Sequence, residues 1–501
     1  MKPRPNILLI TTDQQRADHL GLCGLCGVAT PNLDRLGREG IHFSRAYCPS
    51  PICTPTRVSL LTGQYPSLHG AYSIGTSLPE FPRNTLPQLL RDAGYRTGIV
   101  GKTHFVARTD ESRHMAGTED EPNPDFFRDW SGPYLGFESV TVSSGHTINT
   151  NPAQHYRVFL EDADVDWKPW FPRNTPAYDH HACGPWNIPP EYHDTRWVGR
   201  NTEAFINGAN TDSRPWFCWA SFQDPHEPFV CPEPWFSSVD TATMQTFEGY
   251  RPGEFDDRHP VYQAAYERKL DPWKEPHGVP SVFGTPERTA RKSAALQATL
   301  GMIAFLDAEV GHLLQALERT GQLDNTLVVF TSDHGEMHGH HGLWGKGLTA
   351  YEDCQRVPLL ARGPEWIAPR PASDSALISL VDLPATFLSL ANIELPNGIQ
   401  GYDWSAFLRG ETNPPRDAVL VECRPTRDSL YQQSLITRDH KLVVYHESSH
   451  GELYDLAADP NQYRNLWNES DSRHLRESLL LRLVRLHMEE EGMRVHRRGF
   501  G

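Results

Sequence analysis

Four short apolar runs, each about one strand long and each leading to polar side chains, constrain this chain more than any other feature. Asn6 to Thr12 ends at Asp13; Arg96 to Gly101 leads to Lys102 and His104; Trp216 to Gln223 leads to Asp224 and His226; Thr326 to Ser332 ends at Asp333 and His334. Between them lie helical stripes. Leu86, Leu89 and Leu90 precede Gly94, while Met302, Phe305, Leu306, Val310, Leu313, Leu314 and Leu317 precede Gly321. Strands alternating with helices predict an α/β fold, a large and mostly parallel sheet sandwiched by helices. Ligands in such sheets bind beyond the carboxyl ends of the strands, so these runs deliver Asp, Lys and His to one edge.

At 501 residues the chain exceeds the size at which a single core keeps growing, which predicts a large domain over 1–414 and a smaller unit over 415–501. In the second region VLVEC, SLITR and KLVVYH read as strands of a small antiparallel sheet, followed by a helical run from Arg473 to Glu490. The closing RVHRRGFG is basic and reads as an exposed tail or a homo-oligomer contact. Residues 107–215 carry Trp130, Trp167, Trp170, His180, His181, Trp186 and Trp197 with little periodicity, and are expected to form an insertion of substrate loops. The Trp residues would pack beneath a lid or stack on an aromatic or sugar leaving group.

A net charge of -16 argues against nucleic acid or an anionic membrane as partner, and against long polysulfated substrates. A small anion in a locally positive pocket fits it better. The first apolar run is cut by Asp13 without a small-residue cleavage site, and no stretch reaches the roughly 20 apolar residues of a membrane span, so the expected location is cytoplasmic. Nine cysteines, an odd number, read as reduced thiols. Cys23 and Cys26 have metal or redox spacing but no second pair follows them.

Cys53 stands where a loop enters a helix in SPICTPTRVSLLTG, with Pro55 suited to a first turn and Val58, Leu60 and Leu61 as the buried stripe. The positive end of a helix would hold an anion over residue 53, and Arg57, one turn on, can fold back with a permanent charge. Asp13 with Gln14 and Asp333 with His334 bring two carboxylates, an amide oxygen and an imidazole to the same edge. Carboxylates that close repel unless a divalent cation lies between them. His338, His340 and His341 follow closely; with glycines between them they read as contacts behind the ligands or in a pocket wall, rather than as a second metal site.

The motifs NILLITTDQQRADHLG, TPNLDRLGREGIHF, Cys53-Thr54-Pro55-Thr56-Arg57, GYRTGIVGKTHF, SDHGEMHGHHGLWGKGLTAYED and ELYDLAADPNQYRNLW occur in this order. With them the chain resembles, almost end to end, the type I, formylglycine-dependent sulfatases of the alkaline phosphatase superfamily. The resemblance implies an alkaline phosphatase-like fold, and formylglycine at residue 53 made from Cys53 by a formylglycine-generating enzyme. Hydrated to a geminal diol with one oxygen on the metal, it would attack sulfur and then expel sulfate through its second hydroxyl. Asp13, Gln14, Asp333 and His334, with residue 53, match the metal positions. Arg57, Lys102 and His104 match the groups that polarise and deprotonate the diol, and His226 and Lys346 those facing the leaving-group oxygen; Lys102, His226 and Lys346 would bind substrate.

Gln14 stands where many members have a second Asp, and His334 where many have Asn. An imidazole ligand is softer than calcium prefers, so Ca2+ is the expectation and Mn2+ the rival. The same pairing resembles phosphonate monoester and phosphodiester hydrolases of the superfamily. The expected activity is hydrolysis of small sulfate monoesters, with phosphonate monoester or phosphodiester hydrolysis as the alternative. A third reading, an inactive relative that binds sulfated ligands, would predict loss of Cys53 or of a ligand, and each of these residues is present.

Overall fold

Asn6–Thr12 is apolar from Ile7 to Ile10 because both faces of this strand are covered. Ile7 and Leu9 join one core cluster with Ile99, Trp219, Val329 and the helix residues Leu383 and Phe387. Leu8 and Ile10 point the other way, into a cluster with Cys218, Val328, Trp197, Leu306 and Leu313. Two helical layers over one sheet follow directly. The computed structural model describes residues 4–491 except 25–26, 77–83, 118–122, 145–151, 172–182, 245, 268–288, 368, 370–375 and 425–429.

The sheet has seven strands in the order Ile41–His42, Leu359–Arg362, Thr326–Ser332, Asn6–Thr12, Trp216–Ser221, Arg96–Gly101, Ser139–Val142. From Thr326–Ser332 to Ser139–Val142 all neighbours pair in parallel, and Leu359–Arg362 runs antiparallel to both of its neighbours. Register fixes where the chemistry arrives. Thr12 lies opposite Ser332, and both Thr11 and Gly101 lie opposite Ser221, so Asp13, Asp333 and Lys102 leave the sheet at one edge.

Residues 107–215 depart from the expected loop insertion. Ser139–Val142 is the edge strand of the main sheet, and Asp194–Ala209 is a helix of 16 residues whose Trp197, Val198, Phe205 and Ile206 pack on one sheet face. Trp186 and Trp197 are core residues in that layer rather than lid residues. His180 and His181 lie outside the described residues, as does the basic tail.

The apolar stripe ending at Leu317 lies in the helix Thr289–Arg319. Contrary to expectation, its segment Lys292–Arg319 has the length and mean hydropathy, 1.3, of a membrane span. That segment's window is 83% buried inside the protein, so the core already accounts for its apolar character.

Ala418–Cys423, Gln432–Thr437, His440–Tyr445 and Gly451–Asp455 form an antiparallel sheet of four strands. The helix Arg473–Glu489 covers it through Leu479, Leu483 and Leu486, which meet Leu420, Leu435, Leu442 and Leu453. Arg416 ties this unit to the large sheet's helical layer. It is 1% exposed at the side chain and reaches Asp382 at 2.6 Å and Glu490 at 3.2 Å. Its Nη1 also donates to the Ala418 carbonyl at 3.2 Å. Arg416→Met strands two carboxylates away from water and is expected to lower unfolding stability by about 3–5 kcal/mol. Urea denaturation followed by tryptophan fluorescence measures this, and a loss below about 1 kcal/mol would reject the tie.

Candidate active site

Cys53 begins the helix Cys53–Thr62, every residue of which is buried. Its Sγ lies among polar side chains. Lys346 Nζ lies 3.0 Å from it, His334 Nε2 3.2 Å, and Asp13 Oδ1 3.7 Å. A left-handed backbone at Gln14, φ 68°, lets two successive side chains, Asp13 and Gln14, both join this cluster. The Gln14 N–H donates to Asp333 Oδ1 at 3.1 Å, and Lys346 Nζ donates to Gln14 Oε1 at 2.8 Å.

Arg57, fully buried, crosses behind Cys53. Nε donates to Asp333 Oδ2 at 2.8 Å, Nη2 to Asp13 Oδ2 at 3.2 Å and Nη1 to Ser221 Oγ at 2.7 Å. Lys102 Nζ also bonds Asp13 Oδ2. Burial pushes the Asp13 carboxyl up, but Lys102, His226 and Arg57 overcome it and hold it well below the usual carboxylate range. Burial likewise opposes the charge on Lys346, while Cys53, Asp13 and Asp333 outweigh it and raise the amine above its ordinary value.

His334 decides whether a cation fits. Its Nδ1–H donates to the Gly335 carbonyl at 2.9 Å, which leaves Nε2 as a lone pair. That lone pair faces Asp13 Oδ1 and Asp333 Oδ1, each at 3.6 Å. Protonation is not the remedy, because burial and then Lys346 push the imidazole down to about 4. Three acceptors thus converge, and a cation among them would relieve their mutual repulsion. Asp13, Cys53, Asp333 and His334 indeed offer ligand atoms all within 4.8 Å of one another, with Gln14 Oε1 beside them, and the residues fit a divalent metal.

His226 is 6% exposed, on the loop after Trp216–Ser221. Nδ1–H donates to the Glu227 carbonyl at 2.6 Å and Nε2 accepts from Lys346 Nζ at 2.8 Å. Burial and the Lys346 charge hold its imidazole well below the usual range. His104 follows Lys102 at φ 54°. Burial, then the charges of Lys102 and Arg57, keep it neutral in the same way.

Two residues of the site were not anticipated. Ser221 receives Arg57, and Glu336, fully buried, accepts from Gln14 Nε2, Gly345 N and His338 N. Glu336 stands two residues after His334 inside the SDHGEMHGHHG motif, and its charge in a buried turn was the available signal. Of the other histidines there, His340 Nδ1 lies 2.9 Å from Asp353, His341 bonds Glu254 and stacks on Tyr351, and His338 Nε2 lies 3.3 Å from Thr299 Oγ1. His340, His341 and Asp353 also offer ligand atoms within 4.8 Å of one another. Arg16 Nη1 also bonds Asp353.

Known proteins resemble the chain along its whole length. The sulfatase family profile matches residues 5–393, and the C-terminal profile of N-sulphoglucosamine sulphohydrolase matches residues 339–489. An arylsulfatase of Clostridium perfringens is 27% identical over 494 residues, 98% of this chain and 96% of that one. An N-acetylglucosamine-6-O-sulfatase of Bacteroides thetaiotaomicron is 27% identical over 500 residues, 93% of this chain and 83% of its own. The solved structure of a phosphonate monoester hydrolase from Silicibacter pomeroyi superimposes with a TM-score of 0.78 at 25% identity, covering 99% of this chain and 100% of that one.

Proposed function

The chain belongs to the sulfatase family and is a sulfuric ester hydrolase, and from that premise we propose that it cleaves small aryl, alkyl or short sugar sulfate monoesters through formylglycine at residue 53 and one divalent metal. The observation that carries this reading is the setting of Cys53, whose Sγ has a lysine, an imidazole and a carboxylate within 3.7 Å at the first turn of a buried helix. The net charge of -16 favours small substrates over long polyanions.

When bound, the metal would supply Lewis acidity at the mutually repelling carboxylates and lower the pKa of an oxygen on residue 53. Ca2+ is the family expectation, and the His334 imidazole makes Mn2+ a serious rival. Hydrated formylglycine would supply two hydroxyls, one to displace the alcohol from sulfur and one to expel sulfate afterwards. The chain's own residues divide the remaining work. Lys346 beside residue 53, with Arg57 and Lys102 behind it on the carboxylates, would give a positive field that needs no rearrangement as charge builds on a tetrahedral anion. A neutral His104 suits removal of a hydroxyl proton from the diol. His226 Nε2 accepts from Lys346, so Lys346 is the member of that pair that holds the proton a poor leaving group requires.

A second reading, phosphonate monoester or phosphodiester hydrolysis, is favoured by Gln14 and His334 in the metal positions and by the likeness to the Silicibacter pomeroyi hydrolase. A sulfate monoester and a phosphodiester each carry one negative charge, so the pocket excludes neither and both activities are expected. The ratio decides. The test is kcat/KM for p-nitrophenyl sulfate, bis-p-nitrophenyl phosphate and p-nitrophenyl phenylphosphonate, on metal-loaded protein whose residue 53 has been checked by peptide mass. Sulfate is expected to win by at least about tenfold, a difference of about 1.4 kcal/mol in transition-state binding. A phosphorus diester winning by that margin would make the second reading the primary one.

A further inference from the structure

A glutamine beside a metal has two faces, an oxygen that can ligate and an NH2 group that cannot. Which face Gln14 turns inward depends on what holds its other end. That partner is Glu336, whose Oε2 accepts from Gln14 Nε2 while Gln14 Oε1 receives Lys346 Nζ at 2.8 Å. An ammonium only donates, so Lys346 requires the amide oxygen on its side, which leaves the NH2 for Glu336. The reverse orientation would turn NH2 toward Lys346 and toward any cation, and would set an oxygen against a carboxylate. The other oxygen of Glu336, Oε1, accepts from His338 N at 3.2 Å and from Gly345 N, next to Lys346 in sequence. Glu336 itself is fully buried, and no other described side chain accepts from the Gln14 amide.

We propose that Glu336 is a positioning residue of the metal centre: it fixes the Gln14 amide with its oxygen toward the ion and pins the start of the segment that carries Lys346. Glu336 is not among the side chains that offer ligand atoms at the metal positions. It acts by accepting one hydrogen from each of the two elements it orients. The inference rests on the reading of Asp13, Gln14, Asp333 and His334 as metal ligands.

A reciprocal exchange tests it. In Glu336→Gln, the new amide can meet Gln14 Nε2 or the backbone N–H groups of Gly345 and His338 with its single oxygen, but not both. In Gln14→Glu, two buried carboxylates face each other. In the double variant Q14E/E336Q the roles swap. The amide now at position 336 donates its NH2 to the carboxylate now at position 14 and keeps its oxygen for the backbone, and that carboxylate turns its second oxygen inward. Mn2+ affinity is measured by equilibrium dialysis of metal-stripped protein, with kcat on p-nitrophenyl sulfate alongside. Each single variant is expected to bind Mn2+ about 10–100-fold more weakly than wild type, with a comparable fall in kcat. The double variant is expected to recover at least about tenfold of that affinity, a rescue that simple packing by Glu336 would not produce. Single variants with wild-type affinity, or a double variant no better than the worse single, overturn the proposal. Wild-type protein that binds no Mn2+ or Ca2+ would instead overturn the metal reading itself, and the two failures are thus distinguishable.

Discussion

Cys53→Ala is expected to lower turnover by about a million-fold, the cost typical of removing a catalytic nucleophile. The unfolding midpoint should scarcely move. Cys53 loses one sulfur whose neighbours are polar, and the helix behind it is held by Val58, Leu60 and Leu61, which the change leaves in place. Cys53→Ser is the sharper companion. Serine offers one hydroxyl in the same place, within reach of Lys346 and His334, and so can displace an alcohol from sulfur once. It has no second hydroxyl with which to expel sulfate. The expected record is a burst of p-nitrophenol no larger than the enzyme concentration, then silence, with a sulfated residue 53 in the peptide mass. Steady turnover by either variant near the wild-type rate would remove formylglycine from the mechanism.

The strand ends were legible in sequence because burial on both faces leaves each central strand uniformly apolar, and the first polar residue then marks the edge. Asp13, Lys102 and Asp333 were found in that way, and they do meet. Glu336 and Ser221 were not, because their part is to hold other side chains and no periodicity marks such a residue. The misreading of 107–215 has a different origin. Trp197, Val198, Phe205, Ile206 and Ala209 recur at helical spacing, but the Trp- and Pro-rich stretches around them mask the period. Ser139–Val142 is four residues long, too short for alternation to stand out, and only its pairing with Arg96–Gly101 makes it a strand.

Arg57→Leu should produce the second large effect, because this one guanidinium serves both the fold and the chemistry. It is the hydrogen-bonded cation of Asp333 and shares Asp13 with Lys102, all of them buried. Burial opposes the charge of Arg57, and Asp333 and Asp13 restore it. Without it, metal-stripped protein keeps a buried carboxylate with no guanidinium partner, at an expected cost of about 3–5 kcal/mol in unfolding stability. A divalent cation held by Asp13, Asp333 and His334 would take over part of that neutralisation. Added Mn2+ should therefore raise the unfolding midpoint of Arg57→Leu by more than that of wild type, in the way any ligand of the native state does. Turnover should not recover with stability. An ion held by Asp13, Asp333 and His334 would replace the charge of Arg57 but not its hydrogen bonds to Asp13, Asp333 and Ser221, and losing a fixed charge beside the reacting group is expected to cost about 10²–10³ in rate. Arg57→Lys separates the two contributions further: it keeps the charge but cannot reach Asp13, Asp333 and Ser221 together, so its stability should lie between wild type and leucine. A metal-stripped Arg57→Leu as stable as wild type would mean that Lys102 alone suffices for both carboxylates. Arg57 would then act only on the substrate.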